Sequence, residues 1–179
     1  MRQEIRICGF GGQGVITAAV ILGKAATVFD NMIATQTQSY GPEARGGAAR
    51  AEVVISRQRI GYPGVIAADV LVAMSQEALN KYKGSVKQDG IVIIEPDLIP
   101  DAAIDRSVYQ VRATQIAEDL GNTIVTNIVM LGALVAIARP VSREAIIAAT
   151  LESVPITFKD LNRRALEAGF RAGEATAQR

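Results

Sequence analysis

Gly9-Phe10-Gly11-Gly12-Gln13-Gly14 puts four glycines into six residues, directly after the β-type run Ile5-Arg6-Ile7-Cys8. Val15 to Phe29, immediately behind it, reads as a helix. A strand, a tight glycine turn and a helix in that order leave bare backbone N–H groups at a helix N-terminus. Those donors, with the positive end of the helix dipole, suit an anionic group such as a pyrophosphate. Gly9, Gly11 and Gly14 also fit the G-x-G-x-x-G spacing, where glycine permits the turn and a close approach of backbone to phosphate. A ligand-free βα turn carries the same pattern. It locates a candidate site without saying what fills it.

The chain before and after this loop sets the fold class. In the first strand, Gln3 to Cys8, apolar Ile5 and Ile7 alternate with Glu4 and Arg6. Val15, Ala18, Ala19, Leu22 and Ala26 recur at helical spacing and form one apolar stripe. Asn31 to Gln38 is a second strand. A nicotinamide- or flavin-binding unit places Asp or Glu at its end to hold ribose hydroxyls, but Gln36, Thr37 and Gln38 stand there. Ser39-Tyr40-Gly41-Pro42-Glu43-Ala44-Arg45-Gly46-Gly47 is a second glycine-rich loop, leading to a third strand, Ala49 to Ser56. That loop is too short for a helical crossover, so the third strand departs from simple Rossmann winding. Arg57-Gln58 suggests a turn into Arg59–Tyr62 and a short antiparallel hairpin. If the second strand lies beside the first, the second loop emerges near the first. Arg45 then either faces the same crevice as Gly11 and Gly12 or stays solvated beside Glu43.

The rest reads as scaffold. Asp69–Met74 and Ile91–Ile94 are buried strands, Ser75 caps a helix through Lys81, and Val108–Val111 is a short strand. Thr114–Leu120 is a short helix stopped by Gly121. No charge occurs from Gly121 to Ala138, where Thr123, Thr126 and Asn127 interrupt an otherwise apolar stretch. It is too short to span a bilayer comfortably, and a helix apolar nearly all round belongs in a core or a subunit contact. A helix from Ser142 to about Ser153 follows, and Thr157-Phe158-Lys159-Asp160 is a capping-box pattern opening a last helix to about Ala175. These elements predict an α/β, Rossmann-like three-layer sandwich, with a mostly parallel, mixed sheet including one antiparallel hairpin, as a single domain over residues 1–179.

Composition narrows the chemistry. The 179 residues contain no His, so histidine triads and imidazole acid–base chemistry are impossible. A single cysteine, Cys8, makes neither an internal disulfide nor a cysteine-ligated cluster, and at the end of the first strand it reads as a small buried hydrophobe. Nineteen Lys+Arg against eighteen Asp+Glu give +1, and aromatics are 4%, so nothing argues for nucleic acid or an anionic membrane. The N-terminus has no signal-peptide pattern, which points to the cytoplasm. The chain lacks a conventional catalytic set of its own.

Taken together, Gly9-Phe-Gly-Gly-Gln-Gly14 and Gln38-Ser-Tyr-Gly-Pro-Glu-Ala-Arg-Gly-Gly47 resemble the gamma subunit of 2-oxoacid:ferredoxin oxidoreductases. The resemblance runs over essentially the whole chain, including the Asp69–Met74 strand and the late helix with Asn127. Its Glu-Ala-Arg-Gly-Gly looks more like the 2-oxoglutarate type than the pyruvate type, which more often carries Glu-Arg-Arg-Gly. The resemblance implies a multi-subunit enzyme with alpha, beta and ferredoxin-like delta partners. Thiamine diphosphate and [4Fe–4S] clusters belong to those partners, ferredoxin accepts the electrons, and the acyl group ends on coenzyme A. It also implies that this subunit serves coenzyme A binding and assembly. The residues it marks are Gly9, Gly11, Gly12, Gln13 and Gly14 in one loop and Tyr40, Gly41, Arg45, Gly46 and Gly47 in the other, with Arg50 a further phosphate partner. A stand-alone Rossmann-type nucleotide-binding enzyme and a purely structural subunit remain as alternatives.

Overall fold

The computed structural model describes residues 2–39 and 48–178. Its strands are β1 (Arg2–Gly9), β2 (Ile33–Gln38), β3 (Ala49–Ser56), β4 (Ala68–Ala73), β5 (Val86–Ile94) and β6 (Ser107–Gln110). They form one sheet in the order β2-β3-β1-β4-β5-β6. β1, β4, β5 and β6 run parallel, whereas β3 is antiparallel to both β1 and β2. The sheet is therefore mixed and mostly parallel, as expected.

The antiparallel hairpin is not where the sequence suggests. It is formed by β2 and β3, and residues 59–62 are not a strand. The physical reason is that β3 has no free edge, since β2 occupies one side and β1 the other. The condition that the second strand lies beside the first is not met, since the neighbours of β1 are β3 and β4. Ala49, the first residue of β3, pairs with Gly9, the last of β1. The stems of the second glycine loop consequently stand at the same edge of the sheet as the first loop.

Alternation along the strands gives each face its own partners. Ile5, Ile7, Val53, Ile55, Val70, Val72 and Ile93 face the larger helical layer. That layer contains α1 (Val15–Lys24), α3 (Ala113–Asp119), α4 (Thr126–Ala138), α5 (Arg143–Ser153) and α6 (Lys159–Ala177). Cys8, Leu71, Ala73, Val92 and Ile94 pack on the opposite side with α2 (Gln76–Tyr82). The stripe expected on α1 is buried throughout, and the helix continues as a π-helical turn over Ala25–Phe29. Ser75 caps α2 by accepting the Ala78 N–H at 3.2 Å, and Ser142 caps α5 through Ala145 at 3.1 Å. Thr157 does not cap α6. The chain first makes a 3₁₀ turn over Ile156–Phe158, so the helix begins at Lys159 with Phe158 in the capping position.

The uncharged helix α4 is core on both sides. Residues Asn127 to Ala136 are all buried, and Met130, Leu131 and Leu134 look toward Ile7 and Val72 of the sheet. Its other side meets α6 through small residues. A Cβ added to Gly132 would lie 2.5 Å from the Leu166 carbonyl, and one on Gly173 2.8 Å from that of Ala133. A Cβ on Gly169 would collide with the Val129 carbonyl. Glycine is required there by helix–helix distance, since none of the three has a positive φ. Gly169→Ala is therefore expected to lower unfolding free energy by about 1–3 kcal/mol in denaturant titration. Gly23→Ala, in α1 with open space around the new carbon, is the control and should raise it by up to about 1 kcal/mol. A neutral Gly169→Ala would contradict this account of the α4–α6 contact.

Candidate functional site

Gly9 to Gly14 form the turn from β1 into α1, as the glycine pattern requires. Gly12 has φ +90° and Gly14 φ +71°, both in the left-handed region that favours glycine. The loop is tied down by Gln13. Its side-chain oxygen accepts the Phe10 N–H at 2.6 Å, and its Nε2 donates to the carbonyl of Met74, just past the end of β4, at 3.0 Å. A Cβ at Gly9 would meet that same Gln13 oxygen, so glycine there leaves room for the brace. Gln13 also donates its own backbone N–H to Phe10 O at 3.2 Å. Gln13 is thus a brace for the loop, and its N–H is engaged within the turn.

The donors that stay open are those of its neighbours. The N–H groups of Gly11, Gly12 and Gly14 have no acceptor among the described residues. Gly14 is the N-cap of α1, no side chain caps that helix, and its first turn carries no acidic residue. A Cβ on Gly12 would meet nothing within 4 Å, so space lies over the loop. Unfilled donors, the positive end of a helix and open room above them are what an incoming anion needs.

Asn127 closes the back of the loop. From the start of α4 its Nδ2 donates to the Gly14 carbonyl at 3.2 Å, and a Cβ on Gly14 would run into that amide. Gly12, Gln13, Gly14, Thr17, Asn127 and Phe158 line a cleft of about 770 Å³ between the loop, the start of α4 and the start of α6. Thr114, Asn122 and Asn162 add neutral polar groups to its wall, and Leu98, Ile124 and Phe158 are exposed apolar residues of its lining. No described lining residue is charged. Any charge for an anion must come from outside the cleft wall.

Of the residues marked in the sequence, Gly9, Gly11, Gly12, Gln13 and Gly14 are brought together in this turn. Tyr40, Gly41, Arg45, Gly46 and Gly47 lie outside the described residues. Arg50 belongs to the opposite face, half-buried over the Tyr82 ring and 3.9 Å from the Glu52 carboxylate. Sequence reasoning did not reach Thr17, Thr114, Asn122, Phe158 or Asn162 as cleft residues. The polar interruption of an uncharged stretch was the available signal for Asn127.

Cys8 is not a reactive group. It is fully buried in β1 and its thiol donates to the Val72 carbonyl at 3.3 Å. Burial pushes its pKa from 9.0 up to about 12, against a smaller lowering by the Arg6 charge. As the chain's one cysteine, placed inside a strand, it does not fit a [4Fe–4S] cluster on this subunit. Above pH 9 the unfolded thiol loses its proton while the folded one keeps it, so stability falls as pH rises toward 12. The wild-type chain is expected to lose up to about 1.4 kcal/mol per pH unit more than Cys8→Ala in that window. Equal alkaline slopes for the two chains would contradict the burial of the thiol.

Comparison with known proteins places the whole chain. Residues 4–172 match the family described as pyruvate ferredoxin/flavodoxin oxidoreductase. The chain is 49% identical over 174 residues to 2-oxoglutarate synthase subunit KorC of Methanocaldococcus jannaschii, covering 95% of this chain and 93% of that one. Its fold matches the keto/oxoacid ferredoxin oxidoreductase gamma subunit of Geobacter sulfurreducens PCA, with TM-score 0.91, 40% identity and 98% of both chains covered. It also matches 2-oxoglutarate:ferredoxin oxidoreductase from Magnetococcus marinus with 2-oxoglutarate, coenzyme A and succinyl-CoA bound. There the TM-score is 0.79 at 23% identity, over 99% of this chain and 31% of that one, a likeness of fold.

Proposed function

This chain belongs to the pyruvate ferredoxin/flavodoxin oxidoreductase family, as a gamma-type subunit of a multi-subunit 2-oxoacid:ferredoxin oxidoreductase, and on that premise we propose that its two glycine loops hold coenzyme A. The substrate oxidised by the complex is 2-oxoglutarate, the acid named for the KorC relative. The observation that carries the coenzyme A reading is the set of N–H groups at Gly11, Gly12 and Gly14 without an acceptor among the described residues, with Gly12 and Gly14 lining a cleft at the N-terminus of α1. These donors receive a phosphate of coenzyme A. The second loop, whose stems reach the same sheet edge, brings Arg45 as the counter-charge that the cleft wall lacks. The neutral walls suit the amide-bearing, uncharged arm of the same molecule. Thr17, Asn122 and Asn162 offer hydrogen bonds, and Leu98, Ile124 and Phe158 offer apolar contact.

The remaining parts lie elsewhere in the complex. Thiamine diphosphate and [4Fe–4S] clusters, on alpha, beta and ferredoxin-like delta partners, supply decarboxylation and single-electron transfer to ferredoxin. This chain binds and orients the acyl acceptor and contributes to assembly, in the cytoplasm. No helix among the described residues is long and apolar enough to cross a membrane.

Two measurements test this. The purified chain alone should show no 2-oxo acid oxidation with a viologen acceptor, and robust activity would sink the subunit reading. In the assembled enzyme, Arg45→Gln should weaken coenzyme A binding by about 1.5–3 kcal/mol, raising its KM about ten- to a hundred-fold. Gly12→Val should raise it as well, because a side chain then stands where backbone meets phosphate. A fully assembled Arg45→Gln enzyme with unchanged coenzyme A dependence would return the loops to a packing role.

A further inference from the structure

A second cavity, of about 450 Å³, lies at the end of α4 away from the glycine turn. It opens between the last turn of α4, the start of α5, the residues leading into β2 and the turn after β3. Met32, Val135 and Val141 are buried apolar residues of its lining, and Arg57, Arg139 and Arg143 are exposed ones. The 13 residues of α4 span about 20 Å, so this cavity is separate from the cleft that Asn127 closes. Its charge is unbalanced. The one carboxylate in the lining, Asp30, has both oxygens occupied, Oδ2 accepting the Ser142 N–H at 2.6 Å and Oδ1 the Ser142 hydroxyl at 2.7 Å. Arg143 pairs with Glu174 and lies 4.8 Å from the centroid of the Phe170 ring. Arg57 and Arg139 have no acceptor among the described residues.

The backbone around this cavity is also strained. Among the described residues, Asn31 and Arg139 alone have a positive φ without being glycine, +51° and +50°. Asn31 sits between the lining residues Asp30 and Met32, and Arg139 is itself in the lining. Arg139 ends α4 in the left-handed conformation, where glycine has the least steric penalty. It also precedes Pro140, whose ring narrows the choices of the residue before it. A position that favours glycine thus carries a guanidinium, and it carries it at the wall of a cavity already rich in positive charge. Strained residues gathered at one pocket are a feature of ligand clamps.

We propose that this cavity is a second anion site, distinct from the coenzyme A cleft, which binds a diphosphate group through Arg57 and Arg139. A guanidinium meets a phosphate by paired N–H···O bonds, and a diphosphate carries enough negative charge to satisfy two of them. The start of α5 takes no part, because Ser142 caps it through the Ala145 N–H and is itself held by Asp30. Arginine charge, rather than a helix terminus, therefore makes this site, in contrast to the glycine turn.

The test is thermal unfolding of the full chain in millimolar inorganic pyrophosphate or ADP, against chloride at equal ionic strength. The anion should raise the wild-type unfolding temperature by about 3 °C. Arg57→Gln should lose most of that rise. Arg139→Gly should lose it too, yet unfold at or above the wild-type temperature in chloride, since glycine relieves the strain. Pyrophosphate acting as well as ADP identifies the free anion as the source. ADP acting alone, with the same dependence on both arginines, identifies a nucleotide. An equal rise in wild type and both variants would put the anion elsewhere, at the glycine turn for example, and overturn the inference. So would an absent rise in wild type, or an Arg139→Gly chain that melts below wild type in chloride, which would make the arginine a requirement of the fold.

Discussion

The close approach of α4 and α6 is the constraint on which the site depends. Gly132, Gly169 and Gly173 let the two backbones come within reach of each other's carbonyl oxygens. That contact presses α4 onto the sheet, where Met130, Leu131 and Leu134 meet Ile7 and Val72. With α4 seated, its first turn carries Asn127 to the Gly14 carbonyl, and the start of α6 brings Phe158 and Asn162 to the cleft. Asn162 is itself pinned by donating to the Phe158 carbonyl at 2.8 Å. Helix packing in the interior thus sets the width of a cleft at the sheet edge. Dispersion and the hydrophobic effect do this work, because α4 has no charged group with which to orient itself.

The opposite face of the sheet is closed by a different force. Glu4, Arg6 and Glu52 are all buried beneath the segment between β3 and β4. Backbone groups of that segment satisfy them: Val65 donates to Glu52 at 3.3 Å and Ile66 to Glu4 at 2.8 Å. Thr37 adds a hydroxyl to the second Glu52 oxygen at 3.1 Å. Desolvating such charges is expensive, and the full set of bonds is what makes their burial tolerable. The layer holds Arg6 against the Tyr82 ring, 5.1 Å from its centroid, and the Tyr82 hydroxyl donates to the carbonyl of Ala48, a stem of the second loop, at 3.1 Å. One face of the sheet therefore frames the cleft by packing, and the other holds the stems of the second loop, Ser39 and Ala48, by directional bonds.

Much of the fold was legible in the sequence, for reasons that differ by element. The glycine turn, the stripe on α1, the Ser75 and Ser142 caps and the burial of α4 are local signals, and each appears where its pattern put it. Strand order is not local. Whether residues 59–62 pair with β3 depends on whether β3 has a free edge, and that follows from β1 and β2 together. The Thr157 pattern failed because a 3₁₀ turn after Pro155 moved the helix start to Lys159. The glycines of α4 and α6 were invisible as a pair, since neither helix shows on its own that it will meet the other. The same holds for the site: the loop could be read, but its brace joins Gln13 to Met74 and its back wall is Asn127, far along the chain.

The cleft offers backbone donors, shape and neutral contacts. The claim at the centre is that the open N–H groups of the first glycine loop are coenzyme A donors in the assembled enzyme. The direct measurement is a structure of the whole complex with coenzyme A bound. The account requires a phosphate oxygen within hydrogen-bond distance of the Gly11, Gly12 or Gly14 N–H, about 2.7–3.2 Å. Coenzyme A held entirely by other subunits, with a partner's side chain or carbonyl filling those donors, would contradict it.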